Sequence, residues 1–154
     1  MQTNTHGMIS LFLIFMAIAV ALGAVVLKSP LFALIYLGIC AICFLNIVFS
    51  YCAKCPCREK DCSHGFLGSL TKIMPKRKEG PYTFIDILST LISIGAILMI
   101  PHLWLVYNIP SLILFWLLII VAALEIIFLV CPDCANKNCY LCPGKSKSVK
   151  KFSA

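Results

Sequence analysis

Hydrophobic positions along this chain collect in four long blocks, residues 8–26, 31–51, 84–103 and 111–130. Polar positions are pushed into the gaps between them. A helix that crosses a bilayer takes about 20 mainly apolar residues, and each block meets that length. The pattern therefore predicts an all-α integral membrane protein with four transmembrane helices. The gaps are unequal. Lys28-Ser29-Pro30 makes a tight link after the first block, whereas the stretch between the second and third blocks is long, basic and rich in cysteine. No Lys or Arg precedes the first block. The basic leader region of a cleaved signal peptide is thus missing, and the block reads as a retained helix.

Composition strengthens this picture. Of the 154 residues, 61% are hydrophobic and only 12% are charged, about half the charged share of an ordinary soluble domain. A soluble fold of this size could not hide so much apolar surface; lipid accommodates it. Charge then supplies an orientation. Seven basic residues lie in the middle gap and five after the fourth block, while Lys28 alone falls on the opposite side. The positive-inside rule places the richer side in the cytoplasm. The expectation is a multi-pass protein of the inner or plasma membrane with both termini cytoplasmic. The net charge of +7 is mostly this topology signal, with added attraction to anionic headgroups. The lipid bilayer is one partner. Nucleic acid is not expected, because no recognition motif surrounds the basic residues.

The chain also repeats itself. Asn46-Ile-Val-Phe-Ser-Tyr-Cys52-Ala-Lys-Cys55 closes the second block, and Glu125-Ile-Ile-Phe-Leu-Val-Cys131-Pro-Asp-Cys134 closes the fourth. Ile47 matches Ile126, Phe49 matches Phe128, and both cysteines align. Pro30 and Pro110 open the two blocks, where a missing N–H has no helical partner to lose. Two duplicated helical hairpins follow, residues 1–64 and 84–144, each with a cysteine cluster at its cytoplasmic exit. Because each half holds two spans, the halves insert the same way round, related by a pseudo-twofold axis along the membrane normal. Residues 65–83 form a basic linker. Within it Phe66, Leu67, Leu70, Ile73 and Met74 suit one face of an interfacial helix ending at Pro75. Residues 145–154 read as a basic disordered tail.

Ten cysteines are far too many for chance. Cys40 and Cys43 lie inside the second block. Cys52, Cys55, Cys57 and Cys62 form one cytoplasmic cluster, with His64 as a further donor, and Cys131, Cys134, Cys139 and Cys142 form the other. In a reducing compartment structural disulfides are unexpected and would require the inverted topology; metal or redox chemistry is the default, with free thiols at the membrane surface as the bland reading. The second cluster spells C-x2-C-x4-C-x2-C-P. Two C-x2-C pairs supply four thiolates to one tetrahedral zinc. The C-x4-C-x2-C portion and the closing Cys142-Pro143 resemble iron–sulfur motifs, without reproducing either ferredoxin spacing. The reading favours iron–sulfur, of the 4Fe–4S type, with zinc as the alternative. The sites are either local to each half, or one is shared by Cys52, Cys55, Cys131 and Cys134. Nearby Lys and Arg would offset the charge of four thiolates.

Three polar residues lie within the spans near these exits. Glu125 is six residues before Cys131, about 9 Å deeper along a helix, and Asn46 is its counterpart in the first half. Asp86 sits in the first turn of the third span and reads as a structural group. Ionisable groups in a span are functional by default, so Glu125 is expected to relay protons, bind a cation, or pair with a basic residue of the middle gap. Cys40 and Cys43 share a stripe with Tyr36, Asn46 and Ser50; buried cysteines usually behave as small hydrophobes, and the sharper alternative is a thiol relay for a soft metal. His102 is placed at the outer interface and His6 in the N-terminal tail.

Three functions compete. The first is an iron–sulfur electron-transfer subunit, passing electrons between a soluble redox partner and a membrane carrier or a protein partner in a membrane complex. The second is a soft-metal transporter or sensor, a layout that resembles small mercury-uptake proteins. The third is a zinc-stabilised accessory subunit that docks a larger complex. No nucleophile–base pair or phosphate-binding loop appears, so a self-contained enzyme is not expected.

Overall fold

The computed structural model describes residues 2–55, 70–71, 73–75, 77 and 82–132. Its helices are α1 (Gln2–Val26), α2 (Pro30–Ser50), α3 (Phe84–Met99), α4 (His102–Leu105) and α5 (Ile109–Glu125). A 3₁₀ turn, Cys52–Lys54, follows α2, and a π-helical segment, Ile126–Val130, continues α5. No described residue lies in a strand. Four stretches are long and apolar enough to cross a membrane: Thr5–Val26, Pro30–Lys54, Phe84–Leu105 and Ile109–Val130. The chain is thus a multi-pass membrane protein, with spans close to those its hydrophobic blocks predict.

Local chemistry explains the helix ends. Proline occupies the first turn of both α2 and α5, as expected of Pro30 and Pro110. Asn108 caps α5, its side-chain oxygen accepting from the Ser111 N–H at 3.4 Å. Thr83 caps α3 in a reciprocal capping box with Asp86. The third span is not one continuous helix. Pro101 has no N–H to give the preceding turn, so α3 stops and the chain restarts as the short α4.

The four spans do not pack evenly. α1 lies most extensively against α5, and α2 against α3, with α1 also touching α2. α4 bridges α1, α3 and α5. The buried face of α1 carries Gly7, Ser10, Ala17, Ala21 and Ala24, spaced alternately by three and four residues or by seven. Small side chains let two helix backbones approach closely in lipid, where apolar burial no longer drives association. Opposite them α5 buries Phe115 and Ala122. Large apolar side chains such as Leu31, Ile42, Ile113 and Phe128 point outward and are exposed, as lipid contact allows.

The two short turns meet at one end of the bundle. The Lys28 ammonium sits 5.8 Å from the centre of the Tyr107 ring, and the Phe32 and Trp104 rings are 5.6 Å apart. His102 is not a loose interfacial residue. Trp116 donates to its Nε2 at 2.9 Å, while its Nδ1 meets the Leu98 carbonyl at 2.8 Å. An indole N–H only donates, so Nε2 accepts and the ring proton is on Nδ1. His6, expected in a tail, lies inside α1. Of the linker, only Leu70 and Thr71 are described as helical; Phe66 and Leu67, and the tail 145–154, lie outside the described residues.

Candidate functional site at the cysteine-bearing end

The opposite end gathers the start of α1, the end of α2, the start of α3 and the end of the α5 span. Cys52 opens the 3₁₀ turn, which closes as the Cys55 N–H donates to the Cys52 carbonyl at 3.1 Å. Lys54, between the two cysteines, is buried and forms an ion pair with Asp86. Arg77 donates to the other carboxylate oxygen at 2.9 Å and stacks its guanidinium 5.0 Å from the Phe49 ring centre. Thr83 completes the set: its N–H reaches Asp86 Oδ2 at 3.0 Å and its hydroxyl at 2.7 Å. Asp86 thereby accepts from four donors. Tyr51 stacks on Tyr82 with ring centres 4.3 Å apart, tying the same two chain segments together. Asp86 is the structural group its position predicts. Lys54 and Arg77 are both engaged by Asp86; the other basic residues expected to offset thiolate charge lie outside the described residues.

Asn46 is the polar clasp between α2 and α3. Its amide donates to the Ser89 hydroxyl at 2.7 Å and the Ser93 hydroxyl at 2.8 Å. Ser50 donates to its Oδ1 at 3.3 Å. Further along the same interface, Cys40 is buried and Cys43 half-buried. Tyr36, one turn from Cys40, donates to the Ile97 carbonyl at 2.9 Å. Glu125, the counterpart of Asn46, faces α1 instead. Its Oε2 lies 3.1 Å from His6 Nδ1. Among the described residues its partner is thus on α1, and no Lys or Arg reaches it; most basic residues of the middle gap, one of the partners expected for it, lie outside the described residues.

The cysteines divide into described and undescribed. Cys40, Cys43, Cys52 and Cys55 are not in disulfides. Cys131 is disulfide-bonded, to none of these four, which departs from the expectation of reduced thiols throughout. The spacing of cysteines along a chain does not encode their redox state. Among the described residues no three His, Cys, Asp or Glu side chains gather to hold a metal. Cys52, Cys55 and Cys131, which a shared site would unite, are all described. Cys57, Cys62, His64, Cys134, Cys139 and Cys142 lie outside the described residues.

Sequence reasoning missed His6, Lys54, Arg77, Thr83, Ser89 and Ser93 as polar partners. Some signal was present: Thr83-Phe-Ile-Asp86 has the spacing of a capping box, and Ser89 and Ser93 recur one helical turn apart. For His6 and Arg77 there was none, since nothing local says which span they will meet. No family model, curated protein or solved structure matches this chain.

Proposed function

We propose that the chain is a redox subunit of an inner or plasma membrane, with its termini and cysteine clusters cytoplasmic. Its cysteines, Cys131 once its disulfide is reduced, ligate iron–sulfur clusters that pass electrons between a soluble partner and a membrane carrier or neighbouring subunit. The supporting observation is that Cys52, Cys55 and Cys131 stand at the carboxyl ends of two spans at one end of the bundle. The partial negative charge of a helix carboxyl end favours a bound cation. One site per half fits better than a shared one, because the three described cysteines do not converge.

Helix packing supports the duplication that underlies this reading. A pseudo-twofold axis that exchanges α1 with α3 and α2 with α5 also exchanges the two most extensive contacts, α1 on α5 and α3 on α2. It likewise carries Asn46, which reaches α3, onto Glu125, which reaches α1.

An anaerobic preparation of the full chain tests the reading by absorbance, EPR, and iron, zinc and sulfide analysis. Brown protein containing acid-labile sulfide is the expected result, with part of the iron and sulfide lost on replacing Cys131 and Cys134 with Ser and the remainder retained by the first half. Colourless protein with stoichiometric zinc overturns it in favour of the docking role. The Cys131 disulfide favours one second reading, in which Cys131 and its partner work without metal as a dithiol–disulfide couple. Closing that bond releases two electrons and two protons to a quinone-class carrier. Metal-free protein whose Cys131 cycles reversibly with a thiol reductant would select it.

A further inference from the structure

Two carboxylates lie within the spans at the cysteine-bearing end, and they are held in opposite ways. Asp86 is closed off: its oxygens meet four donors and its side chain is 4% exposed. Glu125 is open. Its side chain is 21% exposed, and its one described partner is His6, itself 36% exposed. No other titratable side chain of α1 lies near His6, and between Glu125 and Cys131 the last span has none. On α4, which also packs on α5, His102 is at the far end of the bundle, engaged with Leu98 and Trp116.

The backbone changes register at the same place. The π-helical segment starts immediately after Glu125, and the Cys131 N–H bonds to the Ile126 carbonyl at 2.8 Å. The Ile126 N–H is shared between the Ala122 and Ala123 carbonyls. Such single π turns are rare and concentrate at functional sites. The corresponding end of α2 tightens into a 3₁₀ turn instead, so the repeat by itself does not demand the π turn. An ionisable pair within a span costs free energy that a purely structural contact could avoid.

The geometry points to His6–Glu125 as a proton-exchange site inside the membrane, open to lipid and separate from the fixed Asp86 cluster. The His6 imidazolium gives its Nδ1 proton to Glu125 Oε2, leaving a neutral ring and a carboxylic acid. The reverse transfer restores the charged pair. The site takes protons whatever the cysteines bind, so it does not depend on the iron–sulfur reading.

Dicyclohexylcarbodiimide, an apolar reagent that attacks protonated carboxyl groups, provides the test. The full chain in phosphatidylcholine vesicles is treated across a pH series, and adducts are located by peptide mass spectrometry. Glu125 should be labelled, faster as pH falls, while Asp86 stays unmodified as the internal control. His6→Ala removes the described group that pairs with the carboxylate and should raise the rate several-fold at fixed pH. His6→Gln, which keeps a side-chain donor but cannot carry the charge or pass the proton, should raise the rate as well, though less than His6→Ala; a rate unchanged by His6→Gln would reduce the pair to a plain hydrogen bond and overturn the proposal. Absence of a Glu125 adduct, equal labelling of Asp86, or a rate indifferent to His6→Ala each overturns the proposal.

Discussion

Asp86 is withdrawn from water at the first turn of α3, and its four donors are what make that tolerable. Deleting one member of a buried ion pair strands the other. Asp86→Ala should therefore destabilise the protein by about 3–5 kcal/mol, read by thermal unfolding in detergent. Adding Lys54→Met to that variant should recover a large part of the loss, because no buried ammonium then lacks a partner. Asn46 works on a smaller scale. Hydrogen bonds between helices in lipid contribute on average about 0.6 and at most about 1.7 kcal/mol. A double-mutant cycle of Asn46→Ala with Ser93→Ala should return a coupling in that range. The Thr83–Asp86 cap was legible from its spacing; Lys54 and Arg77 as its counter-ions were not, since they lie 32 and 9 residues away.

At the scale of elements, the small-residue face of α1 decides how near α5 can come. Ala21 is fully buried there. Ala21→Leu adds volume that this interface cannot absorb without backbone shifts, and should cost about 1–3 kcal/mol. The same substitution at outward-facing Ala19 should be nearly silent, which separates packing from hydropathy in the same unfolding assay. The two repeated exits also differ as elements. α2 ends in a 3₁₀ turn that places Lys54 on Asp86, whereas the last span loosens into a π turn behind Glu125. Their matched sequences, Ile47 with Ile126 and Phe49 with Phe128, do not distinguish these windings. The difference coincides with the partners each exit meets, α3 for one and α1 for the other.

For the whole molecule, four spans and two short turns put Lys28 and Tyr107 together at one end and all the described exit cysteines at the other. In sealed vesicles of one orientation, a membrane-impermeant maleimide should label Lys28→Cys and Asn108→Cys from a single side. In protein stripped of metal, Cys52 and Cys55 should be reachable only from the opposite side. Labelling of the two turns from different sides would contradict the four-span arrangement.

The sequence by itself determined the number and limits of the spans, because crossing lipid depends on length and apolarity, both local properties. It likewise determined the proline starts of α2 and α5 and the crowding of cysteines at two helix exits. Only the tertiary structure decided which span faces which, and with it the partner of every polar group inside the bundle. His6 and Glu125 are separated by 119 residues, and no local pattern in either segment names the other. In a bilayer every outward face is equally apolar, so hydrophobicity alone does not choose neighbours. The small face of α1 and the paired polar groups do, and they act only once the helices have met.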